Sequence, residues 1–410
     1  MRITAVEEVQ GFAVEKDRSS IVNKTYLLKM LPQFYQTCFQ NLLTPTHYKM
    51  LQILVMLLQF HKQVTIERLA TVFPQPIKFE NRRRSIQRFL LLPQLSIKSL
   101  WFPVLKRWVK SYKLKKGNRL ALAIDRTGWR DQNIFVISLI EERRAIPVYW
   151  LSLPKQGCSN LWEQKVLVRP VLQLFKGYRI LLLADREFHS VKLANWLHSK
   201  GVDFVLRQKQ GTYIRQANQS YQRLNTLGLV PGVSFFLHDI QATKQKGFGQ
   251  FNLAGYYPRK YRGKVEASEW YLLTNLKSID AAIKAFKLRS GIEAMFKDCK
   301  TGGYNLESTH ALGQRLISLI LLIAIAYSCA VLAGRKWRPM GLQKYIGRLQ
   351  ELKRIQRRHS AFWLGLYGHL WVGAMEFCSD LAASLMQLKP EKLPYFQRGL
   401  RAMALIQSAL

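Results

Sequence analysis

Two apolar runs, RLALAID at residues 119–125 and RILLLAD at residues 179–185, carry most of the fold information in this chain. Short continuous apolar runs of this kind are typical of buried β-strands. Each run ends on an aspartate, although the chain has only 25 Asp and Glu residues. The sequence therefore predicts a buried sheet in which two strands end in Asp125 and Asp185.

The segments around these runs complete a recognisable order of elements. Three further strands are predicted at residues 133–140, 145–153 and 203–207, and two helices at residues 159–175 and 190–200. Short connections favour antiparallel pairing of the first three strands, whereas the helices act as crossovers to the fourth and fifth. We therefore predict an α/β fold with a ribonuclease-H-like mixed five-stranded sheet and flanking helices.

The charge balance of the chain points to a polyanionic partner. The chain has 63 Lys and Arg residues against 25 acidic ones, a formal net charge of +38. Because 48% of its residues are apolar, the chain is not a disordered basic tail. Excess positive charge destabilises a compact state unless polyanions are near, so nucleic acid is the first expected partner and an anionic membrane surface the second.

The N-terminal part of the chain predicts a helical domain with a basic last helix. Three short helices are indicated between residues 44 and 92, and residues 81–116 contain 11 Lys or Arg and no acid. Such a group suits helix-turn-helix-like DNA binding, although a solvated basic helix face has the same composition. The candidate DNA contacts are three consecutive arginines, Arg82, Arg83 and Arg84.

The two strand-end aspartates are candidates for a metal site. A carboxylate at the end of a buried strand is desolvated and repels its neighbour, an arrangement that a cation stabilises. Hard oxygen ligands suit Mg²⁺, which retains waters and bridges substrate phosphates. Either aspartate alone could simply begin a turn. Two of them, at Asp125 and Asp185, favour a metal site of the kind that two-metal phosphoryl transfer needs.

A third carboxylate is expected from a predicted helix at residues 278–300. Four residues on this helix follow one another at intervals of three, four and seven, so that they share one face. An arginine, a glutamate and a lysine on one face could hold a metal and grip phosphates, but an ordinary salt-bridged surface stripe looks the same. These residues are Phe286, Arg289, Glu293 and Lys300.

This spacing resembles the Y-x2-R-x3-E-x6-K signature of DDE transposases of bacterial insertion sequences, of the insertion-sequence-4 type. The aspartates match that group in context, Asp185 within ADREFHS. The segments FVLRQKQG at 204–211 and WYLLTN at 270–275 are also similar. The resemblance covers residues from about 118 to 335, and the N-terminal helices fit it more loosely.

The resemblance implies a role for each matched residue. Asp125, Asp185 and Glu293 would be catalytic and would bind two Mg²⁺ or Mn²⁺ ions. Arg289 and Lys300 would contact DNA phosphates near the cleaved end. Phe286 stands where the group has tyrosine, so a ring contact with DNA is retained and a phenolic hydroxyl is lost. Double-stranded DNA, as transposon ends and target, and a homodimer in a synaptic complex are the implied partners.

The expected organisation follows from these assignments, with a β-rich insertion between the second aspartate and the glutamate. The basic stretches 241–264 and 335–358 are expected to face nucleic acid. The predicted parts are a helical DNA-binding domain at 1–116, a catalytic domain at 117–207 and 276–335, the insertion at 208–275, and a basic helical C-terminal region at 336–410.

One apolar segment leaves a membrane alternative open. Residues 316–334 form a run of 19 uncharged residues, just long enough to span a bilayer. Ser318, Tyr327 and Ser328 within it favour a buried core helix, as does the resemblance, in which an apolar helix packs on the sheet. Five scattered cysteines predict free thiols, and acidic residues near the N-terminus predict no export signal. We therefore expect a cytoplasmic bacterial protein on nucleoid DNA, without membrane association.

Three other functions remain compatible with the sequence alone. A catalytically inactive or domesticated relative would bind DNA without cutting it. A structure-specific nuclease of the same fold would cut DNA without joining the ends. A basic membrane-associated protein would use residues 316–334 as an anchor. The basic insertion and the Arg/Lys helix face favour transposition, because they imply long DNA contacts.

Overall fold

The computed structural model describes residues 31–111, 118–141, 144–244, 249–259, 269–347 and 359–408. The chain divides into two compact units, one of residues 97–302 and one formed by residues 1–96 with 303–410. This division differs from the predicted one, because the N-terminal and C-terminal helices share a unit. Residues 97–111, predicted as part of the N-terminal domain, belong to the unit that contains the sheet.

The unit of residues 97–302 is built on a mixed sheet. In its described residues the sheet has ten strands, in the order β3-β2-β1-β4-β5-β10-β9-β8-β6-β7. The strands are β1 Arg119–Trp129, β2 Gln132–Glu141, β3 Arg144–Ser152, β4 Arg179–Ala184, β5 Asp203–Arg207, β6 Tyr213–Arg215, β7 Gln222–Arg223, β8 Ser234–Ala242, β9 Gly249–Tyr256 and β10 Trp270–Thr274.

The α-helices of the described residues are numbered separately along the chain. Those of the sheet unit are α5 Phe102–Ser111, α6 Leu161–Leu174, α7 Val191–Ser199, α8 Ile279–Leu288 and α9 Ser290–Cys299. Those of the helical unit are α1 Gln33–Gln40, α2 Pro45–His61, α3 Ile66–Val72, α4 Phe79–Phe89, α10 Gly313–Trp337, α11 Ala361–Phe377, α12 Ser379–Gln387 and α13 Leu393–Ser408.

The first five strands confirm the predicted pairing. β1 pairs antiparallel with β2, and β2 with β3, while β1–β4 and β4–β5 are parallel. Every residue of β4 after Arg179 is buried, as expected for a parallel strand with both faces covered. Helices α6 and α7 provide the crossovers, and a capping box between Asn160 and Glu163 begins α6.

The predicted limit of five strands is wrong, because the insertion continues the same sheet. β10 pairs antiparallel with β5, and β9 and β8 extend the sheet outward from β10. A five-stranded sheet would leave the outer backbone groups of β5 unpaired, and β10 satisfies them. The expected β-rich segment is therefore present, but as an extension of the sheet.

The helix predicted over residues 278–300 is interrupted once. α8 and α9 are separated by Arg289, whose backbone remains right-handed helical at φ −54° and ψ −33°. The Arg289 N–H donates to the carbonyl of Phe286, three residues back, instead of four. This tightened turn lies at the residue that separates the two helices.

In the helical unit, the apolar run of residues 316–334 lies inside α10. This helix is long and apolar enough to cross a membrane, but 89% of its most apolar window is buried within the protein. α10 crosses α11 closely, since a Cβ on Gly334 would lie 1.8 Å from the carbonyl oxygen of Ala361. Gly365 makes the reciprocal close approach to Ala330. The run therefore forms the core helix of this unit.

The N-terminal helices follow the sequence signals. Thr44 caps α2 by accepting a hydrogen bond from the His47 N–H at 3.3 Å, with Pro45 in the first turn. α4, at Phe79–Phe89, is the third of the short helices indicated between residues 44 and 92. The basic stretches predicted at 241–264 and 335–358 lie partly outside the described residues.

Candidate active site

Strand pairing places Asp125 and Asp185 side by side. Ile124 of β1 pairs with Ala184 of β4, and an aspartate follows each of them. β1 does not end at Asp125, as the sequence suggested, but continues to Trp129 along β2 alone. Each aspartate accepts a hydrogen bond from the next backbone N–H, at 2.8 Å for Asp125 and 2.7 Å for Asp185.

Helix α9 brings the third carboxylate, that of Glu293, to the part of the sheet where the two aspartates lie. The helix approaches β3 closely, because a Cβ on Gly291 would lie 3.2 Å from the backbone carbon of Arg144. An ion pair between Arg144 and Asp298 fastens α9 to the same strand. Glu293 lies on the first turn of α9 and is the most exposed of the three carboxylates, with 55% of its side chain accessible.

Arg289 joins the three carboxylates. Its Nη1 lies 3.2 Å from Oδ2 of Asp125, and its Nη2 lies 3.6 Å from Oδ2 of Asp185. The same Nη2 donates to Oε1 of Glu293, one helical turn further along. Only 11% of the Arg289 side chain is exposed. A buried guanidinium therefore neutralises acids from β1, from the end of β4 and from α9.

Burial controls the ionisation of Asp125. Desolvation raises its pKa from the ordinary value of 3.8 to about 6, and the guanidinium of Arg289 partly opposes this rise. The neighbouring charges of Asp185 and Glu293 raise the pKa further. Asp125 is thus a carboxylate whose ionised form needs a nearby cation.

A second arginine, Arg207, was not among the candidates from the sequence. Its Nη1 lies 3.5 Å from Oδ1 of Asp185, and its Nη2 donates to the backbone carbonyl of Glu269 at 3.2 Å. Burial lowers the pKa of Arg207, and the charge of Asp185 opposes that shift. The available signal was its position, since Arg207 ends β5 directly beside β4.

The remaining residues of the predicted helix face lie apart from the carboxylates. Phe286 is only 4% exposed and packs edge-on against Trp270, with the Arg289 guanidinium 5.6 Å from its ring centre. It therefore supports Arg289 and offers little surface to DNA. Lys300 donates to the carbonyl of Gly128 at 3.3 Å and lies over the ring of Trp129.

The three N-terminal arginines lie on α4 with different surroundings. Arg83 pairs with Glu67 at 3.3 Å and with Glu80 at 3.4 Å. Arg82 is half-buried and directs Nη1 toward the carbonyl of Phe73, whereas Arg84 is exposed. Of the three, Arg84 presents the most accessible charge.

The donor set fits a hard divalent cation, although Arg289 lies between the carboxylates here. Among the described residues, no group of three or more His, Cys, Asp or Glu side chains is arranged to hold a metal ion directly. The three oxygens nevertheless converge on one positive group, and Asp125 is desolvated. Carboxylates of this kind are the ligands that hard divalent cations prefer.

A family comparison matches part of this site. Residues 159–329 match the family model of the transposase DDE domain. The match covers less than half of the chain and includes Asp185 and Glu293, but it begins after Asp125. This part of the chain is therefore similar to a transposase DDE domain. The assignment of Asp125 to the site rests instead on its strand pairing and on its contact with Arg289.

The solved structures that are similar to the chain include two distant ones. A piggyBac transposase synaptic complex with hairpin DNA has 14% identity and a TM-score of 0.41, covering 87% of this chain and 80% of that one. Marinitoga piezophila Argonaute, with 5′-OH guide RNA and target DNA, has 11% identity and a TM-score of 0.23, covering 62% and 37%. Both scores are low, so neither likeness assigns a residue role. No curated protein matches the chain.

Proposed function

We propose that the chain is a DDE transposase of the insertion-sequence-4 type. It would cleave DNA at the ends of an insertion sequence and join the freed 3′-OH ends to target DNA. The single observation that carries this proposal is the convergence of Asp125, Asp185 and Glu293 on the Arg289 guanidinium. The order of the first five strands supports a ribonuclease-H-like catalytic domain.

The three carboxylates of Asp125, Asp185 and Glu293 would hold two Mg²⁺ or Mn²⁺ ions. Bound there, the ions would activate a water nucleophile and stabilise the leaving 3′ oxygen. The protein's part is to keep the three acids on rigid elements and to orient the phosphodiester for in-line attack. Arg289, once free of the acids, would hold a DNA phosphate with its planar fork.

The proposal extends to partners and location. Double-stranded DNA would lie along the surface that carries the three carboxylates, with Lys300 near the cleaved end. Phe286 would act through its contact with Arg289. Arg82, Arg83 and Arg84 would belong to a separate DNA-binding region within residues 1–116, and a homodimer would hold two ends together. We place the protein in the bacterial cytoplasm on nucleoid DNA, without membrane association.

A plasmid assay tests the function. The substrate is a supercoiled plasmid carrying the coding region with its native flanking DNA, incubated with purified protein and either Mg²⁺ or EDTA. We expect Mg²⁺-dependent breaks at the flanks, with 3′-OH ends that become joined to a second plasmid. Breaks without joining would favour a nuclease, and DNA binding without breaks would favour an inactive relative. Either outcome would overturn the transposase proposal.

A further inference from the structure

The pair Arg126–Glu187 lies directly beside the two aspartates along the chain. Arg126 follows Asp125, and Glu187 is two residues after Asp185. Nε of Arg126 donates to Oε1 of Glu187, and the two side chains are only 20% and 16% exposed. The hydrogen bond that Arg126 donates to Glu187 raises the pKa of Arg126.

This pair is fully engaged with the loop between β3 and α6. Nη1 of Arg126 donates to the carbonyl of Gly157 at 2.6 Å and to Oδ1 of Asn133 at 3.0 Å. Oε1 of Glu187 also accepts from the N–H of Ser159 at 3.1 Å and from its hydroxyl at 3.2 Å. One ion pair therefore links β1, β2, the loop and the turn after β4.

The loop is itself fixed by further buried contacts. The Asn133 amide is buried and donates to the carbonyls of Lys155 at 2.7 Å and Gly157 at 3.2 Å. Lys155 pairs with Glu163, the residue that completes the capping box of α6. Cooperative networks of this kind hold a geometry more rigidly than isolated contacts do.

Because the Arg126–Glu187 pair lies next to the two aspartates in the chain, its rigidity constrains their positions. β1 pairs with β4 only up to Ile124, so the parallel ladder ends before either aspartate. Beyond that point, the Arg126–Glu187 pair spans the same two chain segments through side chains. The ion pair thus connects the two segments next to Asp125 and Asp185, where the backbone ladder no longer does. It can therefore fix the separation of the two aspartates.

We propose that Arg126 and Glu187 are positioning residues, which fix the separation of Asp125 and Asp185 for divalent cations. The proposal rests on the proposed function, because it assumes that these aspartates bind metal. Residues that orient metal ligands without touching the ion change metal affinity by about 10–100-fold when they are mutated. The Arg126 fork is needed as a whole, since a lysine cannot reach Glu187, Asn133 and Gly157 together.

The test compares two ion pairs of the same sheet unit. Glu187→Gln removes the charge beside the site. The control, Asp203→Asn, removes the ion-pair partner of Arg119, which lies at the other end of β1 with its guanidinium 2.9 Å from the Asp203 carboxylate. Mn²⁺ binding to the full chain is measured without DNA by electron paramagnetic resonance, with the melting temperature recorded for each variant. We expect Glu187→Gln and Arg126→Lys to weaken Mn²⁺ binding at least 10-fold, and Asp203→Asn to leave it unchanged.

Two results would overturn the positioning role. One is unchanged Mn²⁺ affinity in both Glu187→Gln and Arg126→Lys. The other is equal weakening in Asp203→Asn, which would mean that general loss of stability is responsible. A wild-type chain that binds no Mn²⁺ would contradict the proposed function as well. Failure of the proposed function is therefore distinguishable from failure of the positioning role alone.

Discussion

Arg289 links the three carboxylates of the candidate site through ion pairs. It contacts Asp125, Asp185 and Glu293 with two nitrogens, in a position where only 11% of it is accessible. The i, i+4 spacing to Glu293 was visible in the sequence, but spacing alone is typical of surface ion pairs. The contacts to both aspartates depend on the strand register that places Asp125 beside Asp185, which no local pattern encodes.

The role of Arg289 as a neutralising cation predicts an unusual response to metal. In Arg289→Ala, three converging carboxylates lose their counter-charge, so the unfolding free energy without metal should fall by about 3 kcal/mol. Mg²⁺ should restore more stability to this variant than to the wild-type chain. Urea unfolding with EDTA or with Mg²⁺ measures both effects. Arg84→Ala, on exposed α4 surface, is the control, and equal Mg²⁺ responses in all three proteins would contradict the assignment.

The raised pKa of Asp125 predicts a pH dependence of stability. Its folded-state pKa is about 6 against an ordinary 3.8, so between these values the folded chain holds more protons than the unfolded chain. The unfolding free energy of the metal-free protein should therefore fall as pH rises from 4 to 6. Over this pH range, the unfolding free energy of the wild-type chain should fall by about 3 kcal/mol more than that of Asp125→Asn. Urea titrations of both proteins in EDTA measure the difference, and a difference independent of pH would refute the shift.

At the scale of elements, the first five strands were predictable from the sequence, whereas the extension of the sheet beyond β5 was not. Continuous apolar runs such as the one in β4 identify buried strands, and short connections identify the antiparallel pairs. The addition of β10 to the edge of β5 was not predictable, because it joins segments far apart in sequence. The interruption at Arg289 was also hidden, since the residues on both sides keep helical periodicity.

The crossing of α10 and α11 predicts strong intolerance of side chains at its contact. A Cβ at Gly334 would meet the Ala361 carbonyl at 1.8 Å, and backbone cannot move aside as a flexible side chain can. Gly334→Ala should destabilise the protein by about 3 kcal/mol, at the upper end of overpacking costs. Gly399→Ala, in α13 with open space around it, should be neutral or slightly stabilising. Chemical denaturation measures both, and similar values for the two variants would contradict the close packing.

At the scale of the whole molecule, the net charge of +38 predicts that the proposed association with DNA depends strongly on salt. Lysines and arginines that contact phosphates release counterions, so affinity falls as salt rises. Composition alone predicted this property of the chain. It could not predict which arginines are free to act, because Arg83 is engaged by Glu67 and Glu80 while Arg84 is exposed.

This difference between neighbouring arginines gives a matched prediction. Arg84→Ala should weaken DNA binding and reduce the slope of log affinity against log salt by about 1. Arg83→Ala should have a smaller effect, because two carboxylates already compensate its charge. Fluorescence anisotropy with duplex DNA at several NaCl concentrations measures both slopes. A larger change in Arg83→Ala than in Arg84→Ala would contradict the assignment of α4 as a DNA contact.

The most direct test concerns Asp125, because the family match begins after it and only geometry places it with Asp185 and Glu293. The measurement is the single-turnover rate of Mg²⁺-dependent nicking on DNA carrying the native flanks. We predict that Asp125→Asn and Asp185→Asn each lower this rate at least about 1,000-fold, as loss of a group acting in one catalytic unit does. The exposed control Asp280→Asn should leave it unchanged. Nicking that survives in Asp125→Asn but is lost in Asp185→Asn would contradict a shared site.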